Sequence, residues 1–231
     1  MTISPQSPPP SDLPPPAPHG VAVSGIVFAV LFSTSLVLLR LAVPADPSEP
    51  GNWLADPTAR YWLEWSLSLI PIAGISFLWF MGVIRDHVAA REDRFFATVF
   101  LGSGILLVGL LFVAGGIADG VLRMFGNSPH ESESLTAGSQ AAFLLGRRLA
   151  SSVMNNFATR MAAVFLFVTS SIGLRTTAWP RGISFTGYAC GLVLLLFISE
   201  STAVLFLLPA WVLLVSLWFL WTHVSSRAPG G

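Results

Sequence analysis

Arg148, Ser152, Asn156 and Arg160 recur at four-residue intervals, and on a helix that spacing stacks them along one face. Asn155 and Thr159 broaden the same stripe. Guanidinium, amide and hydroxyl groups in a column offer fixed positive charge and hydrogen-bond donors, the chemistry of holding a carboxylate, an ion or a small polar ligand. The setting makes this stripe unusual. Arg160 and Arg175 enclose fourteen residues of "MAAVFLFVTSSIGL", about 21 Å of helix, against a hydrocarbon thickness of roughly 30 Å. At least one of these arginines is therefore expected below a membrane surface and needs a partner there.

The rest of the chain explains why a membrane is in question. Of its 231 residues 53% are hydrophobic and 10% charged, with a mean hydropathy of +0.71. A soluble domain carries about a quarter charged residues, so a water-facing surface cannot be built from this composition. The net charge is zero, which gives no basic field for nucleic acid, and none is expected as a partner. All twelve basic residues are Arg. The lone Cys190 falls in an apolar stretch, excluding an intrachain disulfide and a cysteine-based metal site. No cofactor is expected.

Six apolar stretches have spanning length: 20–43, 62–84, 95–118, about 153–174, 183–199 and 202–222. The predicted fold is therefore all-α, a polytopic bundle of six transmembrane helices over 20–224. A Pro-rich tail precedes it, with eight prolines before Gly20 and no charged segment of the signal-peptide kind; this tail (1–19) reads as disordered. A short tail, 225–231, follows. "PADPSEPGNWLADPTAR" reads as a loop, "RDHVAARED" as a charged hairpin, "TTAWPR" as a tight connection, and "SES" (199–201) as a turn. The segment 139–156 fits an interfacial amphipathic helix. It fits equally a backward extension of the fourth span, which is favoured because no Pro interrupts it.

Arginines near short loops orient the chain with both termini in the cytoplasm and the bundle in the plasma membrane. Tyr61, Trp62 and Trp65 at one face, and Trp79, Trp179, Trp218 and Trp221 at the other, are expected as interfacial aromatics. Alternation of six spans then brings Arg40, Glu64, Asp119, Asn156, Arg160 and Glu200 to one side of the membrane. Arg160 is expected within hydrogen-bonding reach of Glu64, Asp119 or Glu200, either to fix helix register or to line an outward-facing pocket.

Other features read as packing. Gly187 to Gly191 ("GYACG") spaces two small residues for close helix approach, inside the bundle or between copies, and "GSG" at 102–104 is similar. Pro71 and Pro209 are expected to kink their helices. Asp86, His87, Glu92 and Asp93, and His130 with Glu131 and Glu133, read as solvated loop charges rather than metal ligands. Zinc-helix, nucleophile-elbow and phosphate-loop signatures are missing, so no catalytic residue is assigned.

"RDHVAAREDRFFATVFLGSG", "NNFATRMAAVFLFVTSSIGLRT" and "PAWVLLVSLWFL" together resemble a family of small six-span integral membrane proteins of high-GC Gram-positive bacteria. The shared pattern is Asn156, Phe157, Ala158, Arg160, Met161 and Ala162 at the head of the fourth span, with Leu174, Arg175 and Thr176 at its end. The resemblance covers 53–222. It implies the six-span architecture and brings no activity, cofactor or substrate. Three roles follow as expectations: first an accessory or structural component of a membrane complex, with the bilayer and a membrane protein or second copy as partners. The alternative is permeation of a small polar solute or ion through an outward-facing charged pocket. An integral-membrane lipid enzyme is the weakest.

Overall fold

The computed structural model describes residues 19–44, 53–54, 56–88, 94–126, 137–196 and 202–227. They are almost wholly helical: α1 His19–Ala42, α2 Pro57–Val88, α3 Arg94–Gly126, α4 Ala137–Ser152, a π-helical segment Val153–Ala158, α5 Thr159–Thr176, α6 Arg181–Leu196, a 3-10 turn Thr202–Phe206, and α7 Leu207–Arg227. Five apolar helical runs are long enough to cross a membrane, at Gly20–Ala42, Pro57–Val88, Arg94–Phe125, Gly138–Thr176 and Val204–Thr222. That is the signature of a membrane-embedded protein. α6 is equally apolar but has 16 residues, about 24 Å.

Local chemistry sets the helix ends. Asp56 caps α2 by accepting from the Thr58 N–H at 2.9 Å, and Pro57 occupies the first helical position, where no N–H is needed. α5 stops at Thr177, the one left-handed non-glycine residue described (φ 53°), and the chain restarts as α6 just after Pro180. Pro209 falls not eight or nine residues into a helix but in the first turn of α7, after the 3-10 turn, where its missing N–H is one the helix leaves unpaired in any case. Pro71 lies inside an unbroken α2.

α1 packs along α2 and α7, α3 lies between α2 and α5, and α6 rests on α5. The main core is aromatic. Phe77 meets Phe28 at 4.8 Å and Phe165 at 4.9 Å, and Phe165 meets Phe100 at 5.2 Å between ring centroids. "GYACG" serves this interior: a side chain on Gly187 would collide with Ser170 and Trp211, and one on Gly191 would press the Ala163 carbonyl at 3.3 Å. Trp179 is not an interfacial aromatic. It is 4% exposed, packs against Gly173, and donates from its indole to Ser184 Oγ at 3.0 Å. The short α5–α6 connection turns it inward.

A second, smaller apolar cluster of Ala42, Leu54, Leu63, Leu122 and Phe143 closes the end where α1 finishes and α2 begins. Between the two clusters the bundle is hollow.

Candidate functional site

The hollow is built on α4 and the helix it continues into. α4, the π segment and α5 form one helical run from 137 to 176, so the backward extension of the fourth span is what the chain adopts. In an α-helix each four-residue step overshoots a 3.6-residue turn by about 40°, and a long polar stripe drifts round the helix. The π segment holds about one more residue per turn and removes that drift where it occurs. Its register is visible at Thr159, whose N–H reaches Met154 O, five residues back. Arg148, Ser152 and Asn156 thus stay on one face, joined by a parallel column of Arg147, Ser151 and Asn155. All six line a cavity of about 740 Å³.

The opposite walls come from α1 (Leu39, Arg40), the Trp53–Leu54 turn, α2 (Leu63, Ser66, Ile70) and α3 (Leu111, Gly115, Leu122). Gly146 admits α4 to this arrangement, because a larger residue would strike Val121 of α3. Arg147 donates to Pro44 O at 2.9 Å and lies over the Trp53 ring, 5.9 Å from its centroid. The amides of Asn155 and Asn156 donate to Ser151 Oγ and Ser152 Oγ at 3.0 and 3.3 Å. The polar column is therefore pre-set by its own helix. None of the described lining residues is Asp or Glu.

The six sequence-derived candidates separate. Arg40 and Asn156 line the cavity together. Glu64 and Asp119 line a different hollow of about 700 Å³ on the α2–α3 surface, with Arg60 and Arg123. There Asp119 accepts from Arg123 Nε at 2.7 Å. Leu67, Ile70, Gly115 and Leu122 border both spaces, so the α2–α3 pair is a partition with ion-paired charge on one side and arginines on the other. Glu200 lies outside the described residues.

Arg160 is the correction. Among the described residues it bonds neither Glu64 nor Asp119; its Nη1 donates to Asn156 O at 2.6 Å, with Asn156 Oδ1 at 3.4 Å. Past the π segment the helix is α again, the drift resumes, and Arg160 leaves the cavity wall. A carbonyl of its own helix, rather than a carboxylate across the bundle, holds the guanidinium. Arg175, at the far end of α5, sits over the Phe96 ring at 4.2 Å, a cation–π contact.

Sequence reasoning left Arg147, Ser151 and Trp53 out of the site. The signal for the first two was present: 147, 151 and 155 repeat the four-residue interval one position earlier. Trp53 carried none, because only the chain's return from α1 brings it over Arg147. His87 stacks edge-on against Phe219 at 5.2 Å; Glu92, Asp93, His130, Glu131 and Glu133 lie outside the described residues. Among the described residues no group of three His, Cys, Asp or Glu side chains gathers to hold a metal.

No family model, curated protein or solved structure matches the chain.

Proposed function

We propose that the protein is a plasma-membrane bundle of six crossings that admits a small polar solute from outside the cell through the arginine-lined cavity. The observation that carries this reading is the cavity itself: about 740 Å³, within the range of small-molecule sites, and lined by Asn156 though not by Arg160, which a permeation role would also place there. A solid bundle would have favoured the accessory role. α6 supplies the sixth crossing, and both termini lie in the cytoplasm.

Cysteine accessibility tests it. In a Cys190→Ser background, Ser152→Cys in intact cells is expected to react with a membrane-impermeant thiol reagent, whereas Ser216→Cys, buried in α7, stays unreactive. Reaction of Ser152→Cys only from the cytoplasmic side, or from neither side in a folded protein, overturns the reading. So do tags that place the two termini in different compartments.

An accessory role in a membrane complex is the second reading. What favours it is α3, where Gly102, Gly109 and Gly116 recur at seven-residue intervals and each faces open space. Small residues on a helix surface permit close approach of another helix. Copurification of one defined partner after gentle solubilisation would establish it.

A further inference from the structure

We propose that α4 is a hinged arm that opens and closes the arginine-lined cavity, with the π segment as its hinge and Arg147 as its latch. Such control presupposes the cavity reading above. Three observations lead to it. The first is the join between the arm and the bundle. A π turn interrupts the regular α ladder and is a place where helices bend, and 153–158 is the π segment of the run from 137 to 176. Carbonyls of that turn carry side-chain bonds that travel with it. Met154 O accepts from Thr159 Oγ1 at 3.0 Å, and Asn156 O accepts from Arg160 Nη1 at 2.6 Å. Side-chain donors of this kind let an interrupted ladder persist in apolar surroundings. Arg160, off the cavity wall, is thereby a positioning residue of the hinge.

The second is the other end of the arm. Arg147 lies six residues before the π segment, about 9 Å along the helix. It donates to Pro44 O, just past α1, and covers the Trp53 ring. Phe143, one turn further out, is buried in the apolar cluster with Ala42, Leu54 and Leu63. Between hinge and latch, Arg148, Ala150, Ser151 and Ser152 face the cavity. The third is the freedom of the arm. α4 packs along α3, but Leu145 and Leu149 on its outer side are 60% and 48% exposed. Outward movement therefore displaces no helix among the described residues. An element anchored at its tip by a few side chains belongs to the low-stability end of a structure, from which lids are drawn.

The full chain carrying Cys190→Ser and Ala150→Cys is assayed in intact cells for its rate of reaction with a membrane-impermeant thiol reagent. Arg147→Gln is expected to raise that rate about ten-fold, the scale of one hydrogen bond from a charged donor. Arg147→Lys, which keeps a donor, is expected to fall between. Deletion of Phe157, a 58% exposed residue, removes the extra residue of the π turn and leaves both flanks on their present faces. It is expected to lower the rate below the parent's and to abolish the gain from Arg147→Gln. A merely structural arginine would show no such dependence on the hinge. Spin labels on Leu41→Cys and Leu145→Cys, both exposed, read the arm without any deletion, and Arg147→Gln is expected to lengthen their separation.

Equal rates in the parent and Arg147→Gln overturn the latch while the cavity reading stands. An unchanged label separation overturns the moving arm. A folded Phe157 deletion that leaves the rate at the parent's value overturns the hinge. Thiols at Ala150→Cys and Ser152→Cys that stay unreactive in every variant remove the cavity reading, and the arm with it.

Discussion

The two ends of the bundle handle polar groups in opposite ways. At the end holding Trp179, Trp211 and Phe219, the polar side chains are short and, apart from Ser170 Oγ, which has no partner among the described residues, satisfied within the packing. Thr169 bonds Phe165 O at 2.6 Å, Ser216 bonds Val212 O at 2.8 Å, and the Trp211 indole reaches Ile183 O at 3.0 Å. At the end holding Arg40, Arg147 and Arg148 the polar groups are long, charged and gathered around a cavity. A membrane bundle can hide a hydroxyl against its own helix. It cannot so hide a column of guanidiniums, which needs either a carboxylate across the bundle or a cavity open to water. Arg123 on the α2–α3 surface is answered by Asp119 of its own helix, whereas Arg40, Arg147 and Arg148 border the cavity.

The sharpest way to break this contrast is truncation of one aromatic at each end. Phe165 is fully buried among rings, and Phe165→Ala is expected to lose about 3–5 kcal/mol. Phe143 is as deeply buried but borders the existing hollow. A truncation there enlarges a space that already exists instead of opening a new one, so Phe143→Ala should lose roughly half as much. Reversible unfolding in mixed micelles measures both; equal losses would mean that the two ends are packed alike.

Adding a methyl group sharpens it from the other direction. Gly173→Ala would drive a carbon into the Trp179 ring and is expected to destabilise by about 1–3 kcal/mol. Gly115→Ala, on the cavity partition, would place its methyl 3.5 Å from Ile70, an ordinary contact. It should be neutral or stabilising by up to about 1 kcal/mol through helix propensity. A large loss at Gly115 in the same unfolding measurement would show the hollow to be closed.

The smallest effect lies at the boundary of the two regimes. Ser35 and Ser66 bond each other's backbone carbonyls at 2.9 Å and face one another at 3.2 Å, with Ser66 also on the cavity wall. A double-mutant cycle with Ser35→Ala and Ser66→Ala is expected to give a coupling of about 0.6–1.7 kcal/mol, the scale of hydrogen bonds within membranes. A coupling near zero would show that water from the cavity competes for these groups.

Much of this was legible without coordinates. Composition made the chain a membrane protein, because a charged surface cannot be assembled from so few charged residues. The apolar runs located the five long helices and the shorter α6, and the small residues of "GYACG" pointed to close packing, inside the bundle or between copies, which the fold places inside. The four-residue interval found the polar column. It also carried Arg160 one step too far, since spacing alone assumes a uniform helix and cannot reveal a π turn. Of the polar residues placed on one side of the membrane by topology, Arg40 and Asn156 fall on one side of the α2–α3 partition and Glu64 and Asp119 on the other. Alternation of spans orders residues by depth and says nothing of azimuth.

The sequence by itself determined the helices, their approximate depth and the presence of more guanidinium than a bilayer tolerates unaided. Whether that charge met carboxylate, carbonyl or empty space was decided only in the tertiary structure. Each of those outcomes depends on how the seven described α-helices rotate about their own axes, and rotation is settled by packing: Gly146 letting α4 reach α3, Trp179 filling the gap beside Gly173, and one π turn holding Asn156 against the cavity.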